Sequence, residues 1–196
     1  MLHQESTGAI AVAKNQGCSR IRGMKPFILM LVLMAVMIGQ PIFAAELPGA
    51  PAGTFSIAVI PDTQHYRGKK SKAQPDSLEP ITNPTFKAYT SWVADNLERQ
   101  RIAFVSHVGD IVDINNREQW TVARRHMDLL HDHVPYGISV GNHDMTRAGD
   151  SSLFQDFFPA ERYQKFDWYG GHFRKVSGRP AVSGNNANSY QLFSAG

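Results

Sequence analysis

Three short clusters carry the residues able to do chemistry: "PDTQ" at 61–64, "GDIVD" at 109–113 and "GNHD" at 141–144. Asp62 and Asp110 offer carboxylate oxygens, Asn142 offers a neutral amide oxygen, and Gln64 stands two positions after Asp62 where a metal pair would normally carry histidine. Carboxylate and carbonyl donors suit Mg, Mn or Ca, and added imidazole shifts the preference toward Zn or Fe. Each cluster alone reads as a turn. All three gain weight because each follows an apolar run that has the character of a strand.

Those runs define the elements that must position the clusters. "TFSIAVI" at 54–60 reads as a short buried strand, "IAFVSHV" at 102–108 as a second and "PYGISV" at 135–140 as a third. Between them, Asn83-Pro84 is a helix start, asparagine as N-cap and proline at the first helical position. Phe86, Tyr89, Val93 and Leu97 then give that helix an apolar face. A second helix is expected over 116–131, with Trp120, Ala123, Met127 and Leu130 on one side. Strand, helix, strand, helix, strand favours an α/β fold with a parallel sheet flanked by helices. In open sheets of this kind ligands bind beyond the carboxyl ends of the strands, so one crevice collects all three clusters. Gly109 and Gly141 let the chain turn sharply there.

The remaining segments are plainer. The polar and basic 66–82, with "RGKKSK" at 67–72, reads as a solvated surface loop. "HDH" at 131–133 reads as a solvated connector, and His107, on a strand, as a packed neighbour of the crevice. His65 is expected to face away from Gln64 by strand alternation. "SSLFQDFF" is expected to form a short helix capped by Ser151 or Ser152; 159–188 shows no clear periodicity, its aromatics are expected in the core, and "NSYQLFSAG" begins another strand.

Upstream, the 13 apolar residues "FILMLVLMAVMIG" at 27–39 follow Lys25 and precede "IFAAE". A basic flank, a short apolar core and a small-residue exit describe a secretory signal peptide over 24–44. The run is shorter than the roughly 20 residues of a spanning helix. The alternative is an N-terminal membrane anchor from Pro26 to Ala45. Residues 1–23 are then superfluous, 45–53 a Pro/Gly/Ala linker, and the protein is expected to be exported, periplasmic or secreted, meeting the membrane only through its export signal. The whole chain has 20 Lys+Arg and 17 Asp+Glu; without Lys14, Arg20, Arg22, Lys25 and Glu5 of the leader, 16 of each sign remain. Such a balance points to no nucleic-acid partner. Cys18, the single cysteine, also leaves with the leader, so metal ligands must be oxygen and nitrogen.

The succession Asp62-x-Gln64, Gly109-Asp110-x-x-Asp113 and Gly141-Asn142-His143-Asp144 resembles the calcineurin-like metallophosphoesterases, whose pattern runs Asp-x-His, Gly-Asp-x-x-Asp, Gly-Asn-His-Asp/Glu, a lone His and Gly-His-x-His. The "PDTQ" spelling, with "WYGGHF" and "NSYQLF", is similar to a bacterial, mostly exported branch. The resemblance implies a layered sheet core and hydrolysis of a phosphomonoester or phosphodiester by two divalent ions (Mn, Fe, Zn or Mg) that activate a hydroxide for in-line attack. It implies that Asp62 and Gln64 bind the first metal, that Asp110 bridges both and that Asn142 binds the second. His143 would face the leaving-group oxygen as acid, and the Asp113 carboxylate would orient it and favour its charged form. Asp144 would support the loop.

Two departures accompany the match. Gln64 replaces histidine, a weaker donor that can still coordinate through oxygen. No Gly-His-x-His occurs, and His172 comes too early to serve, so 54–196 is expected to be the N-terminal part of a domain incomplete at its C-terminus. The rival reading is an inactive fragment or pseudoenzyme that keeps a binding role.

Overall fold

The computed structural model describes residues 46–173 and 185–195. The leader and the preceding segment 1–23 lie outside these residues. Among the described residues no helix is long and apolar enough to cross a membrane.

The expected alternation is present. Strand β1 (Ser56–Ile60), helix α1 (Pro84–Asp95), β2 (Ile102–His107), α2 (Arg117–Met127) and β3 (Tyr136–Ile138) follow in order. The strands form one parallel sheet in the order β1-β2-β3. Consecutive parallel neighbours joined by right-handed crossovers put both helices on one face. Ala58, Val105 and Tyr136 lie in register on that face, as do Ile60, His107 and Ile138. Phe86 of α1 sits between His107 of the sheet and His126 of α2, ring centroids 5.3 and 5.5 Å away.

Local chemistry sets the helix ends. The Asn83 side chain accepts from Phe86 N at 2.9 Å, with Pro84 at the first helical position. Asn116 caps α2 through Gln119 N in the same way. Trp120, Ala123, Met127 and Leu130 are all fully buried, as their spacing predicts. On α1 the buried stripe is Phe86, Thr90 and Val93, and Tyr89 is exposed. Thr90 takes the inner place because its hydroxyl is satisfied by Phe86 O at 3.1 Å.

Several expectations are corrected. The 54–60 run is no fully buried strand: Ile60 is buried, whereas Ile57 and Val59 are 51% and 61% exposed. Within 46–53, Ala50 N donates to Arg99 O, and Pro48 O accepts from Gln100 Nε2. The basic 66–82 loop is a fixed rim: Tyr66 and Ser71 are buried, and Arg67 and Thr82 pair across it. His131 folds inward, its Nδ1 3.0 Å from Tyr136 OH, and only Asp132 and His133 are exposed.

Helix α3 (Ser152–Phe157) follows Ser151, and Asp150 Oδ1 accepts from Ser152 N. Phe154, Phe157 and Phe158 pack around Trp120, while Tyr163, Trp168 and Tyr169 extend the aromatic layer from Tyr136. Strands β4 (Tyr169–His172) and β5 (Ser189–Gln191) make a separate antiparallel pair. Strand β4 was not visible in the sequence.

Candidate active site

Because β1, β2 and β3 are parallel, their carboxyl ends share one edge, and the three clusters sit there. Asp110 joins them. Its carbonyl accepts from Thr63 N at 3.1 Å, next to Asp62, and its Oδ1 accepts from His143 N at 2.9 Å, next to Asn142. The backbone at Asp110 is left-handed, with φ 48°, uncommon for a residue with a side chain. Gly109 beside it has φ 105°, and a Cβ there would lie 2.9 Å from Gly141 N. A Cβ on Gly141 would collide with the Asp110 carboxylate and amide. Both glycines are therefore needed for the second and third loops to touch.

Asp144 locks the same junction. Its carboxylate accepts from Ile111 N at 2.8 Å, Val112 N at 3.1 Å and Gly141 N at 2.9 Å, which ties the second loop to the third. Burial raises its pKa to about 6 against the pull of those three donors. It supports the loop, as expected.

His107 supports the edge from below. Its Nδ1 accepts from Gly109 N at 3.2 Å, so the ring proton belongs on Nε2, which reaches Thr63 Oγ1 at 3.0 Å. Thr63 Oγ1 passes its own proton to Ile111 O at 3.1 Å. The chain is satisfied with a neutral imidazole, and burial lowers the His107 pKa to about 4. Protonating Nδ1 would set two donors face to face.

His143 and Asp113 meet differently from expectation. His143 Nδ1 lies 3.0 Å from the backbone carbonyl of Asp113, not its carboxylate. That contact fixes a proton on Nδ1 and leaves Nε2 for chemistry. The Asp113 carboxylate is held instead by Lys72, through Nζ at 2.8 Å and the backbone N–H at 3.1 Å. Gln119 Oε1 accepts from Asp113 N and Ile114 N, at 2.7 and 2.9 Å. A cleft of about 420 Å³ runs along this side, lined among others by Gln64, His65, Arg67, Lys72 and Asp113. His65 and Gln64 share it because β1 stops at Ile60 and alternation stops with it.

Lys72, Gln119, Thr63 and Asn83 support the crevice in roles that the sequence did not mark. Asn83 Nδ2 donates to Thr63 O, fastening the start of α1 to the first loop. The basic run around Lys72 reads as a solvated loop, and Asn83 is marked as a helix cap alone. Gln119 looks like any polar residue in a first helical turn.

Among the described residues no three His, Cys, Asp or Glu side chains form a group that could hold a metal. The candidate set is of another kind: two carboxylates, Asp62 and Asp110, and two amides, Gln64 and Asn142. Asp62 and Asn142 are exposed and Asp110 and Gln64 half-buried, so all four are open to solvent. An all-oxygen set fits a hard divalent ion.

The profile of the calcineurin-like phosphoesterases matches residues 55–195. The chain belongs to that family, whose members are metal-dependent phosphoester hydrolases. It is also 31% identical over 154 residues to the uncharacterized protein YvnB of Bacillus subtilis (strain 168), covering 77% of this chain. The matched stretch is 11% of the length of YvnB. No solved structure matches.

Proposed function

We propose that this chain hydrolyses a phosphomonoester or phosphodiester at the crevice formed by 61–64, 109–113 and 141–144. The observation that carries the reading is the junction at Asp110, which accepts from both neighbouring loops and so gathers the candidate ligands at one sheet edge. Asp62 and Gln64 would hold one divalent ion and Asn142 a second, with Asp110 shared between them; Mn, Fe, Zn and Mg are the candidates. Such ions, when bound, polarise the phosphoryl oxygens and make water acidic enough to attack at neutral pH. His143, with Nδ1 committed to Asp113 O, presents Nε2 as the proton donor to the leaving-group oxygen. Asp113 holds that carbonyl in place, itself fixed by Lys72 and Gln119. The expected leader over 24–44 would carry this activity outside the cytoplasm, with a phosphate ester as substrate and no nucleic-acid partner.

The test is hydrolysis of bis(p-nitrophenyl) phosphate and p-nitrophenyl phosphate with each metal in turn. Asp110→Ala is expected to lower turnover by about 10³-fold or more, the scale of losing a main electrostatic group. Absence of turnover with all four metals overturns the reading. A second reading is a module that binds phosphate esters without turning them over, favoured by Gln64, an amide donor standing where the family carries histidine. Saturable binding of the diester without hydrolysis would select it.

A further inference from the structure

A second cavity lies between the start of α1 and the last turn of α2, and shares no lining residue with the cleft beside Asp113. It measures about 510 Å³ and has an apolar floor of Ile81, Pro84, Val122 and Leu129. That volume falls within the roughly 300–1,000 Å³ of small-molecule sites. Its rim carries two cations, Lys87 and Arg125, with the His126 imidazole beside them. None of the ion pairs among the described residues uses Lys87 or Arg125.

Arg125 suits the C-terminal turn of α2, where the helix dipole favours positive charge. Lys87 does not: it stands in the first turn of α1, which contains no acidic residue and where the dipole disfavours a cation. The three groups feel one another, since the His126 pKa is lowered by burial and further by Arg125 and Lys87. Uncompensated positive charge over an apolar floor is complementary to one kind of molecule, an anion with an apolar body.

We propose that this cavity binds an amphipathic carboxylate, its head group between Lys87, Arg125 and His126 and its hydrocarbon along Ile81, Val122 and Leu129. The site is independent of the hydrolase reading, and either can fail without the other.

The experiment is calorimetric titration of the full chain with decanoate below its micellar range, and with decan-1-ol as the uncharged comparison. Saturable one-to-one binding of decanoate is expected, with the alcohol binding about tenfold more weakly or worse, because charge-assisted contacts are lost. The double variant Lys87→Glu with Arg125→Glu should abolish the binding. Leu129→Asp, at an exposed position, should weaken it by about tenfold through the floor. Lys72→Ala, in the crevice, should leave it unchanged. The proposal is overturned if decanoate does not saturate, if the alcohol binds equally well, or if Lys72→Ala removes binding and the charge-reversed variant keeps it.

Discussion

The two faces of the β1–β2–β3 sheet are built from similar residues and are treated in opposite ways. One face carries Ala58, Ile60, Val105, His107, Tyr136 and Ile138 and lies under the helices; Ile60, Val105, His107 and Tyr136 are at most 2% exposed. The other carries Ile57, Val59, Phe104, Ser106 and Gly137 in the same register. Among the described residues its cover is partial: Phe193 stacks on Phe104 at 4.7 Å, while Ile57 and Val59 stay more than half exposed. Apolar side chains on a strand state only that both faces could be buried. Which face is buried depends on where the crossover helices land, and that follows from chain handedness. The polar network of the crevice is anchored on the covered face, through His107 and Thr63.

The largest effect that would test this contrast is Phe86→Ala. Phe86 fills the space between sheet and α2, and its loss should cost about 3–5 kcal/mol in urea unfolding. Next is His107→Gln, which can keep one donor and one acceptor while removing the titration. The His107 pKa falls from 6.5 to about 4 on folding, so the unfolded chain binds more protons between those values. Stability from this group is therefore full above pH 6.5 and is lost as pH falls toward 4. Relative to the variant, the wild type should lose about 3 kcal/mol over that interval. Asp144 acts with the opposite sign over part of the same range, because its pKa is raised, so the difference between the two proteins is the quantity to read.

Asn83→Ala should be smaller, roughly 1–2 kcal/mol for a lost cap. It also cuts the link to Thr63, so a fall in turnover larger than the fall in stability would place the start of α1 in the support of the crevice. Val59→Thr on the open face should change stability by less than about 0.5 kcal/mol. A cost approaching that of Phe86→Ala would mean that this face is covered in solution, and the contrast would fail.

Much of the architecture was legible because local signals agreed with one another. Asn83-Pro84 marks the start of α1, and Trp120, Ala123, Met127 and Leu130 repeat at helical spacing, so nothing in the tertiary structure overrides them. Tyr89 failed because its spacing is shared by Thr90, a residue whose hydroxyl can bond within the helix and be buried without cost. Strand β4 failed because Gly170 and Gly171 carry no strand preference; its pairing with β5 and the irregularity between Tyr169 and Gly171 come from the partner strand. His65 shares the cleft with Gln64 because strand alternation ends with β1 at Ile60.

At the crevice the sequence by itself determined the donors. Carboxylates, amides and glycines stand just after three apolar runs, and parallel strands must deliver them to one edge. Only the tertiary structure decided how they are held. Lys72 takes the Asp113 carboxylate, the Asp113 carbonyl takes His143, Gln119 props the second loop, and Asp144 reaches back across 33 residues to Ile111 N. The physical reason is that a hydrogen bond between residues far apart in the chain has no sequence signature of its own. Any polar side chain can make one, and which atom it meets is fixed only when the strands and helices have set the distances.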